Sequence, residues 1–377
     1  MEFVNDILVF AVPFLVILTV LVFVHEMGHF LIARYNGVRV EVFSIGFGPE
    51  IFGRTDKAKT RWKFSLIPLG GYVKMFGDAN AASAAAGGLP ELTEEERAVA
   101  FRSKRLGQRT WIVVGGPLAN FLLAVVLLAG LFATVGQPFT PPVVGEVLED
   151  SAAEAAGILP GDRIVRLDGT DIERFEDVQR IVRVSAEEPL EVVVRRGGAE
   201  IALMATPKRS DFEDNFGNHH EIGLLGVTRS RVEYVQHGPG TALWRAGQET
   251  LILTFGTLQA IGQMIAGTRS AEELGGPLRI AQMSGQVAEI GLVSVIWFMA
   301  VLSINLGLIN LFPVPMLDGG HLLFFAIEAL RGRPLGDRAQ EYGFRIGMAL
   351  VFSLLLFVTW NDLIHWGFFD FIKDLVT

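Results

Sequence analysis

Long apolar stretches dominate the hydropathy pattern of the chain and predict four transmembrane helices. Residues 7–24 are almost wholly apolar, and residues 111–135 and 291–312 contain no charged side chain. Residues 346–360 form a shorter charge-free run, which residues 342–345 can extend. Because about 20 apolar residues span a bilayer, all four stretches are assigned as crossings. The pattern therefore predicts a polytopic α-helical membrane protein.

Basic residues indicate how these helices cross the membrane. No Lys or Arg precedes His25, whereas the connections between the first and second helices and between the third and fourth are rich in both. The positive-inside rule places such connections in the cytoplasm, which leaves both chain ends outside. The end of the first helix and the end of the third helix then lie on the same, cytoplasmic side.

The composition narrows the function classes further. The formal net charge is -9 and no basic stripe is present, so nucleic acid is not an expected partner. The chain has no Cys, which excludes disulfides and thiolate metal ligands. The N-terminal sequence MEFVND lacks the positive region of a signal peptide, so the first helix is expected to be retained.

Two stretches rich in β-branched and aromatic residues, 40–53 and 61–75, predict a β-hairpin between the first two helices. One interpretation is a cytoplasmic hairpin. The other is a membrane-associated hairpin that dips into the bilayer beside the functional site and offers an edge to a partner strand. Residues 78–90 are rich in Ala, Gly and Ser, which is typical of a flexible loop. Residues 91–109 have the mixed charge of a helix on the membrane surface.

The composition from about residue 140 to residue 230 is that of a soluble domain, and its motifs resemble a PDZ domain. Residues 143–172 give a strand, a helix start at Ser-Ala-Ala and a Gly-Ile-Leu-Pro-Gly-Asp turn into the next strand. The loop Leu224, Leu225, Gly226 and Val227 resembles the carboxylate-binding loop of that family. The resemblance implies an inserted extracytoplasmic α+β barrel that binds a peptide C-terminus through loop N–H groups. A role as a spacer or steric gate is the alternative.

The predicted PDZ domain lies between the second and third transmembrane helices. After it, residues 241–288 are amphipathic and interrupted by Gln and Gly, which favours a helical linker over a fifth crossing. The predicted segments in chain order are transmembrane helix one (1–36), the β-hairpin region (37–77), a cytoplasmic loop with a surface helix (78–110), transmembrane helix two (111–136), the PDZ domain (140–230), the linker (241–288), transmembrane helix three (289–330) and transmembrane helix four (342–364).

Three polar side chains interrupt the first apolar region, in the sequence HEMGH. His25 and His29 are four residues apart, so on a helix both imidazoles project from one face and can bind a single zinc ion. Glu26 lies beside that ion without binding it, in the position of a general base for hydrolysis. Ionisable groups at a membrane segment are costly and indicate function by default, which disfavours a polar helix end among headgroups.

A catalytic zinc ion usually has a third protein ligand. Asp318, in the sequence NLFPVPMLDGGH, lies at the cytoplasmic end of the third helix, on the same side as the two histidines. Pro313 and Pro315 break or bend this helix, and such a break is tolerated where it lines a wet cavity. The two glycines after Asp318 permit a close turn that brings its carboxylate inward. His321 is the competing ligand.

Together these motifs resemble the site-2 protease family of intramembrane zinc metalloproteases, and the chain looks most like the bacterial regulator of sigma-E protease branch. The resemblance covers nearly the whole chain: HEMGH, FSIGFGP in the hairpin, GGPLAN in the second helix, the PDZ insertion and NLFPVPMLDGGH. The site residues that it implies are the zinc ligands His25, His29 and Asp318, the catalytic base Glu26, and the substrate-positioning Asn310 and Asn120. Close relatives often carry two PDZ domains, whereas residues 140–230 have room for one.

The resemblance implies a zinc metalloendopeptidase of regulated intramembrane proteolysis. Such an enzyme cuts the transmembrane segments of single-pass membrane proteins, for example anti-sigma factors, after an upstream site-1 protease has clipped them. The implied location is the bacterial inner membrane, with the PDZ domain in the periplasm and the active site towards the cytoplasm. A membrane PDZ scaffold with a non-catalytic metal site is the alternative, but such a site needs no Glu26. A metal transporter is disfavoured because the second and third helices have almost no ionisable groups.

Overall fold

The computed structural model describes residues 2–78, 92–213, 219–231, 233–267, 270 and 274–365. Most of the Ala-rich insert predicted as a flexible loop therefore lies outside the described residues. The chain divides into two compact units, of which the first comprises Met1–Leu131 with Thr241–Thr377 and the second Phe132–Gly240.

The helices and strands follow one another in the order given by their residue ranges. The helices are α1 (Glu2–Tyr35), α2 (Glu94–Val99), α3 (Leu106–Thr134), α4 (Ala152–Ala155), α5 (Phe175–Val184), α6 (Pro239–Ile265), α7 (Pro277–Ile290), α8 (Leu292–Asn310), α9 (Asp318–Arg331) and α10 (Asp337–His365). The strands are β1 (Val40–Thr55), β2 (Arg61–Met75), β3 (Gln137–Phe139), β4 (Val144–Val147), β5 (Arg163–Leu167), β6 (Thr170–Asp171), β7 (Leu190–Arg196), β8 (Ala199–Ala205), β9 (Lys208–Glu213), β10 (His219–Leu224), β11 (Val227–Arg229) and β12 (Glu233–Val235).

Four helices among the described residues are long and apolar enough to cross a membrane. They comprise Val9–Tyr35 of α1, α3, α8 and Arg338–Ile364 of α10. Large apolar side chains such as Phe352 and Phe357 of α10 are exposed, as expected for a helix in contact with lipid. The predicted third helix is interrupted: α8 ends at Asn310 and α9 begins at Asp318, because Pro313 and Pro315 lie in the intervening segment and cannot continue a helix.

Glycines bring α1 and α3 into close contact near the HEMGH sequence. A Cβ at Gly28 of α1 would overlap the main-chain carbonyl of Gly115 in α3, and a Cβ at Gly115 would lie 2.8 Å from the Gly28 oxygen. Small residues of this kind are the usual means by which helices approach closely in a bilayer. Phe30 of α1 and Ile112 of α3 pack into one buried cluster beside this crossing.

The strands β1 and β2 form a more elaborate sheet than the predicted hairpin. Residues 42–45 of β1 pair on one side with 71–74 of β2 and on the other side with 61–64 of the same strand, while 52–55 pair with 61–64 as well. Each strand therefore bends and contributes two rows, giving the order 71–74, 42–45, 61–64, 52–55. The bend in β1 occurs at Gly46, whose φ of +88° is accessible to glycine.

The far end of this sheet exposes large apolar side chains. Ile51 and Phe52 are each 67% exposed, and Phe64, Leu66 and Ile67 are also exposed. An apolar surface of this kind on a β-structure is expected to contact membrane or protein. Such a surface is compatible with the membrane-associated alternative for residues 37–77.

The second unit is a small α+β fold with its own apolar core. β6, β5, β7 and β8 form an antiparallel sheet, and Ile164, Val192 and Val194 of this sheet pack in the same buried cluster as Val178 of α5. The Gly-Asp turn is held by a bidentate pair, in which Arg196 Nε and Nη2 donate to the two Asp162 carboxylate oxygens over 2.7 Å. These hydrogen bonds hold the pKa of Asp162 below its usual value.

Two contacts fix α9, and with it Asp318, against the neighbouring helices. Arg109 in the first turn of α3 donates a hydrogen bond from Nη2 to Glu328 of α9 over 2.5 Å, and both side chains are largely buried. On the other side, Gly347 of α10 lies so close to the Pro315 carbonyl that a Cβ would overlap it. The break between α8 and α9 is therefore held from two directions.

Candidate metal centre

The structure brings His25, His29 and Asp318 together around one point. The two Nε2 atoms are 3.2 Å apart, and Asp318 Oδ2 lies 3.2 Å from Nε2 of His25 and 3.4 Å from Nε2 of His29. Both imidazoles are buried, with 8% of each residue exposed. Three potential ligand atoms, from two helices far apart in the chain, thus form a nearly equilateral triangle.

This triangle fits a zinc ion on two counts. Atoms bound to one tetrahedral zinc ion at about 2.0–2.1 Å are about 3.3–3.4 Å from each other, close to the distances between these three atoms. Asp318 Oδ2 is also buried with no polar neighbour other than these two imidazole nitrogens, and a buried carboxylate oxygen is costly unless a cation or a donor satisfies it. Two imidazole nitrogens and one carboxylate oxygen form a donor set found in catalytic zinc sites.

Local structure explains how the three ligands meet. His25 and His29 lie one turn apart on α1, and the Gly28–Gly115 crossing presses that face against α3. Asp318 is the first residue of α9, so the break in the chain carries it to the histidines. Its two following glycines are required there: a Cβ at Gly319 or Gly320 would overlap main-chain oxygens of the preceding segment.

The ring nitrogens that point away from the triangle have partners on α3. His29 Nδ1 donates to the Ile112 carbonyl over 2.9 Å. His25 Nδ1 lies 3.2 Å from the side-chain amide of Asn120. Partners of this kind fix the orientation of a metal-binding imidazole.

A cavity of about 300 Å³ opens beside the triangle, and Glu26 lines it. Tyr72, Val73 and Met75 of β2 line the same cavity. A Cβ at Gly71 would lie 3.4 Å from Glu26 Cγ, so the sheet edge passes directly over this glutamate. The cavity therefore joins a carboxylate base, the three potential ligands and a β-strand.

The remaining predicted residues of the membrane region take different positions. Asn310 lines the cavity, with its amide nitrogen donating to Leu306 O over 3.0 Å. His321 lines the cavity too, but its ring lies against Phe344 with the centroids 5.6 Å apart, and it is not part of the triangle. Asn120 is completely buried against His25, so it has no surface that a substrate can touch.

The predicted carboxylate-binding loop lies in the second unit, between β10 and β11. Leu224, Leu225, Gly226 and Val227 line a groove of about 180 Å³ with Val178 and Val182 of α5. Gly226 has a φ of +80°, and a Cβ there would overlap Ser151 Cβ. The groove is mainly apolar and open, which is compatible with a peptide end as ligand.

Gly116 is a site residue that the sequence reasoning missed. A Cβ on this residue would overlap His29 Nε2 and come within 2.8 Å of His25 Cε1. The only signal in the sequence was its place in GGPLAN, which gives no indication that the second glycine faces the histidines. The missing side chain leaves the space in which the rings meet.

We expect Gly116→Ala to weaken zinc binding strongly, although Ala is the better helix former by about 0.5–1 kcal/mol. The added methyl group occupies the position next to His29 Nε2, so the rings have to move apart. The matched control is Gly130→Ala on the same helix, where a Cβ meets nothing within 4 Å. Zinc content after dialysis against a chelator measures both, and equal zinc retention by the two variants would contradict the geometry.

Comparison with known proteins assigns nearly the whole chain to one protein family. Residues 13–354 match the model of peptidase family M50. "Putative zinc metalloprotease Atu1380" of Agrobacterium fabrum is 49% identical, covering 94% of this chain and 95% of that protein. "Putative zinc metalloprotease R01501" of Rhizobium meliloti is 48% identical over 98% of this chain and 100% of the relative. "Metalloprotease MmpA" of Caulobacter vibrioides is 36% identical over 98% and 99%.

Two solved structures match a part of this chain. A crystal structure of the PDZ domain of the SdrC-like protein from Listeria innocua covers 25% of this chain and 98% of its own, at 19% identity and a TM-score of 0.20. The corresponding PDZ domain from Listeria monocytogenes gives 16% identity and a TM-score of 0.19.

Proposed function

The chain belongs to peptidase family M50 and is a zinc metalloprotease, and we propose that it cleaves transmembrane segments of single-pass membrane proteins. Four helices of membrane length among its described residues support this proposal. The observation that carries the proposal is the meeting of Asp318 with His25 and His29 beside Glu26. His25, Glu26 and His29 lie in the membrane-length helix α1, and Asp318 begins α9, which follows the break after the membrane-length helix α8. A scaffold with a structural metal site would have no use for a glutamate on the wall of the same cavity.

The residues of the chain divide the catalytic work between them. His25, His29 and Asp318 would hold the zinc ion, which when bound lowers the pKa of water and polarises a peptide carbonyl. Glu26 takes the proton from the attacking water through its carboxylate and later gives it to the leaving amine. Glu26 lies between α1 and the sheet edge, on the wall of the cavity that a substrate would enter. Asn310 lines the cavity wall, and in this proposal its side chain contacts the substrate main chain.

The sheet edge supports a way to hold the substrate. A helical transmembrane segment must unwind before its carbonyl groups can be reached, and in lipid the freed main-chain groups need new partners. Residues 71–74 pair with 42–45 on one side, and no other strand of the described chain pairs with their outer edge. An unwound substrate can add to this edge as a strand beside Glu26, with main-chain hydrogen bonds as the source of affinity.

The second unit supports a filter for trimmed substrates. In this proposal it is a PDZ domain in the periplasm of a bacterium, and the zinc site lies towards the cytoplasmic side of the inner membrane. The groove along Leu224–Val227 would receive the new C-terminus that a site-1 protease leaves on an anti-sigma factor or a similar protein. Bulky intact ectodomains would be kept away from the cavity.

The test uses the purified full chain reconstituted into liposomes with single-pass proteins. The expected result is cleavage within the transmembrane segment of a substrate clipped outside, loss of cleavage with a zinc chelator and recovery when zinc is returned. The same protein with its ectodomain intact is the matched control and should remain uncut. Cleavage that persists without zinc, or cleavage confined to residues outside the transmembrane segment, would contradict the proposal.

A further inference from the structure

Asn120 of α3 is buried where this helix packs against α1 and α8. Its side-chain amide lies 3.2 Å from His25 Nδ1, and its main-chain carbonyl accepts a 2.8 Å hydrogen bond from the buried hydroxyl of Ser303. Gly307 of α8 leaves room for it, since a Cβ there would lie 3.3 Å from Asn120 Cβ. The residue is fully buried, so its effect on chemistry has to pass through His25.

The Asn120 side-chain amide has only one of its two polar atoms in a hydrogen bond as it is oriented towards His25. The amide nitrogen faces His25 Nδ1, whereas Asn120 Oδ1 is buried without a partner. A histidine that binds an ion through Nε2 has its lone pair there and carries its proton on Nδ1. In that tautomer Nδ1 is a donor and would face a second donor. Turning the amide by 180° removes the conflict, because Oδ1 then accepts the Nδ1 proton and gains its missing hydrogen bond.

We propose that Asn120 is a positioning residue of the zinc centre, whose amide oxygen accepts the Nδ1 proton of His25 and so directs Nε2 to the ion. The inference rests on the proposed function, since it requires His25 to bind zinc. It gives Asn120 a role other than the substrate contact expected from the motif GGPLAN. This role explains both the unpaired Asn120 Oδ1 and the direction of His25 Nε2 towards Asp318.

His29 has the same kind of Nδ1 partner, but here the acceptor is a main-chain carbonyl, which a side-chain substitution does not remove. His29 Nδ1 lies 2.9 Å from the main-chain carbonyl of Ile112, and a carbonyl can only accept. The tautomer of His29 is therefore set by the backbone of α3, whereas that of His25 depends on a side chain of the same helix. Changing a group that orients a metal-binding histidine typically lowers metal affinity by about 10–100-fold.

The experiment measures zinc affinity of the detergent-purified full chain by competition with a chelator of known affinity. Asn120→Ala, which has no acceptor, is expected to bind zinc about 10–100-fold more weakly. Asn120→Asp, whose carboxylate can accept the same proton, is expected to retain more affinity than Asn120→Ala. Ser303→Ala is the control, because it removes only the hydrogen bond to the main chain of Asn120 and should leave zinc affinity near that of the parent.

The outcomes separate this inference from the proposed function. Zinc binding by the parent together with equal binding by Asn120→Ala overturns the positioning role alone, whereas a parent that binds no zinc overturns both. Nuclear magnetic resonance of ¹⁵N-histidine in the zinc-loaded parent gives a second measurement that does not depend on any variant folding. The expected spectrum has His25 protonated at Nδ1 and bound to metal at Nε2, and the reverse assignment overturns the inference.

Discussion

The Glu26→Gln variant is expected to bind zinc like the parent and to cleave a transmembrane substrate about 10²–10⁴-fold more slowly, the range typical of a lost general acid–base group. Glutamine keeps the size and polarity of the side chain but cannot take a proton from the attacking water. Because Glu26 lines the cavity without belonging to the triangle of ligand atoms, the metal should stay in place. The measurements are the single-turnover rate with a clipped substrate and the zinc content of the same sample.

A matched control is Glu41→Gln, which removes a carboxylate from the neighbouring strand. Glu41 pairs with Lys74 over 2.9 Å and is not part of the cavity lining. Its loss is expected to change the rate little, since partly exposed ion pairs contribute about 1 kcal/mol or less. Cleavage by Glu26→Gln at the parent rate would refute the assignment of the base, whatever the zinc content.

The Asp318→Ala variant is expected to lose zinc and proteolysis together. It removes one of the three atoms of the triangle and leaves two imidazoles that cannot hold the ion in place on their own. Zinc affinity should fall by more than the about 10–100-fold that follows from changing a residue that only orients a ligand. Chelator competition and substrate cleavage are measured on the same preparation.

His321→Ala is the control for this ligand, because His321 is the competing candidate ligand in the same segment. His321 lies about one turn along α9, its ring is next to Phe344, and it is not one of the three residues of the triangle. Zinc affinity is therefore expected to persist in His321→Ala. If His321→Ala lost zinc while Asp318→Ala kept it, the competing ligand would be the right one.

The residues of the triangle could be predicted from the sequence because each follows from a simple sequence pattern. The i, i+4 spacing of His25 and His29 places them on one helix face whatever the rest of the chain does. The bias of Lys and Arg predicts which ends of the first and third apolar stretches share a membrane side, which brought Asp318 into consideration. The break at Pro313 and Pro315 follows from proline geometry alone.

The pairing of the sheet and the roles of Gly116 and Asn120 could not be predicted. They depend on contacts between segments far apart in the chain, which no local sequence pattern indicates. The doubled pairing of residues 42–45 requires a bend at Gly46 and two return strands, where alternation of side chains predicted a plain hairpin. Gly116 matters only because α3 presses on α1 at the histidines. Asn120 was expected near a substrate from its motif, yet its burial against His25 follows from helix packing that includes Ser303 of α8.

The most direct test of the account is a crystal structure of the zinc-loaded parent chain with diffraction measured across the zinc absorption edge. We expect one anomalous peak at about 2.0–2.2 Å from His25 Nε2, His29 Nε2 and a carboxylate oxygen of Asp318, with Glu26 close by but not bound. A peak at any other place, or one bound by His25 and His29 with Asp318 turned away, would contradict it.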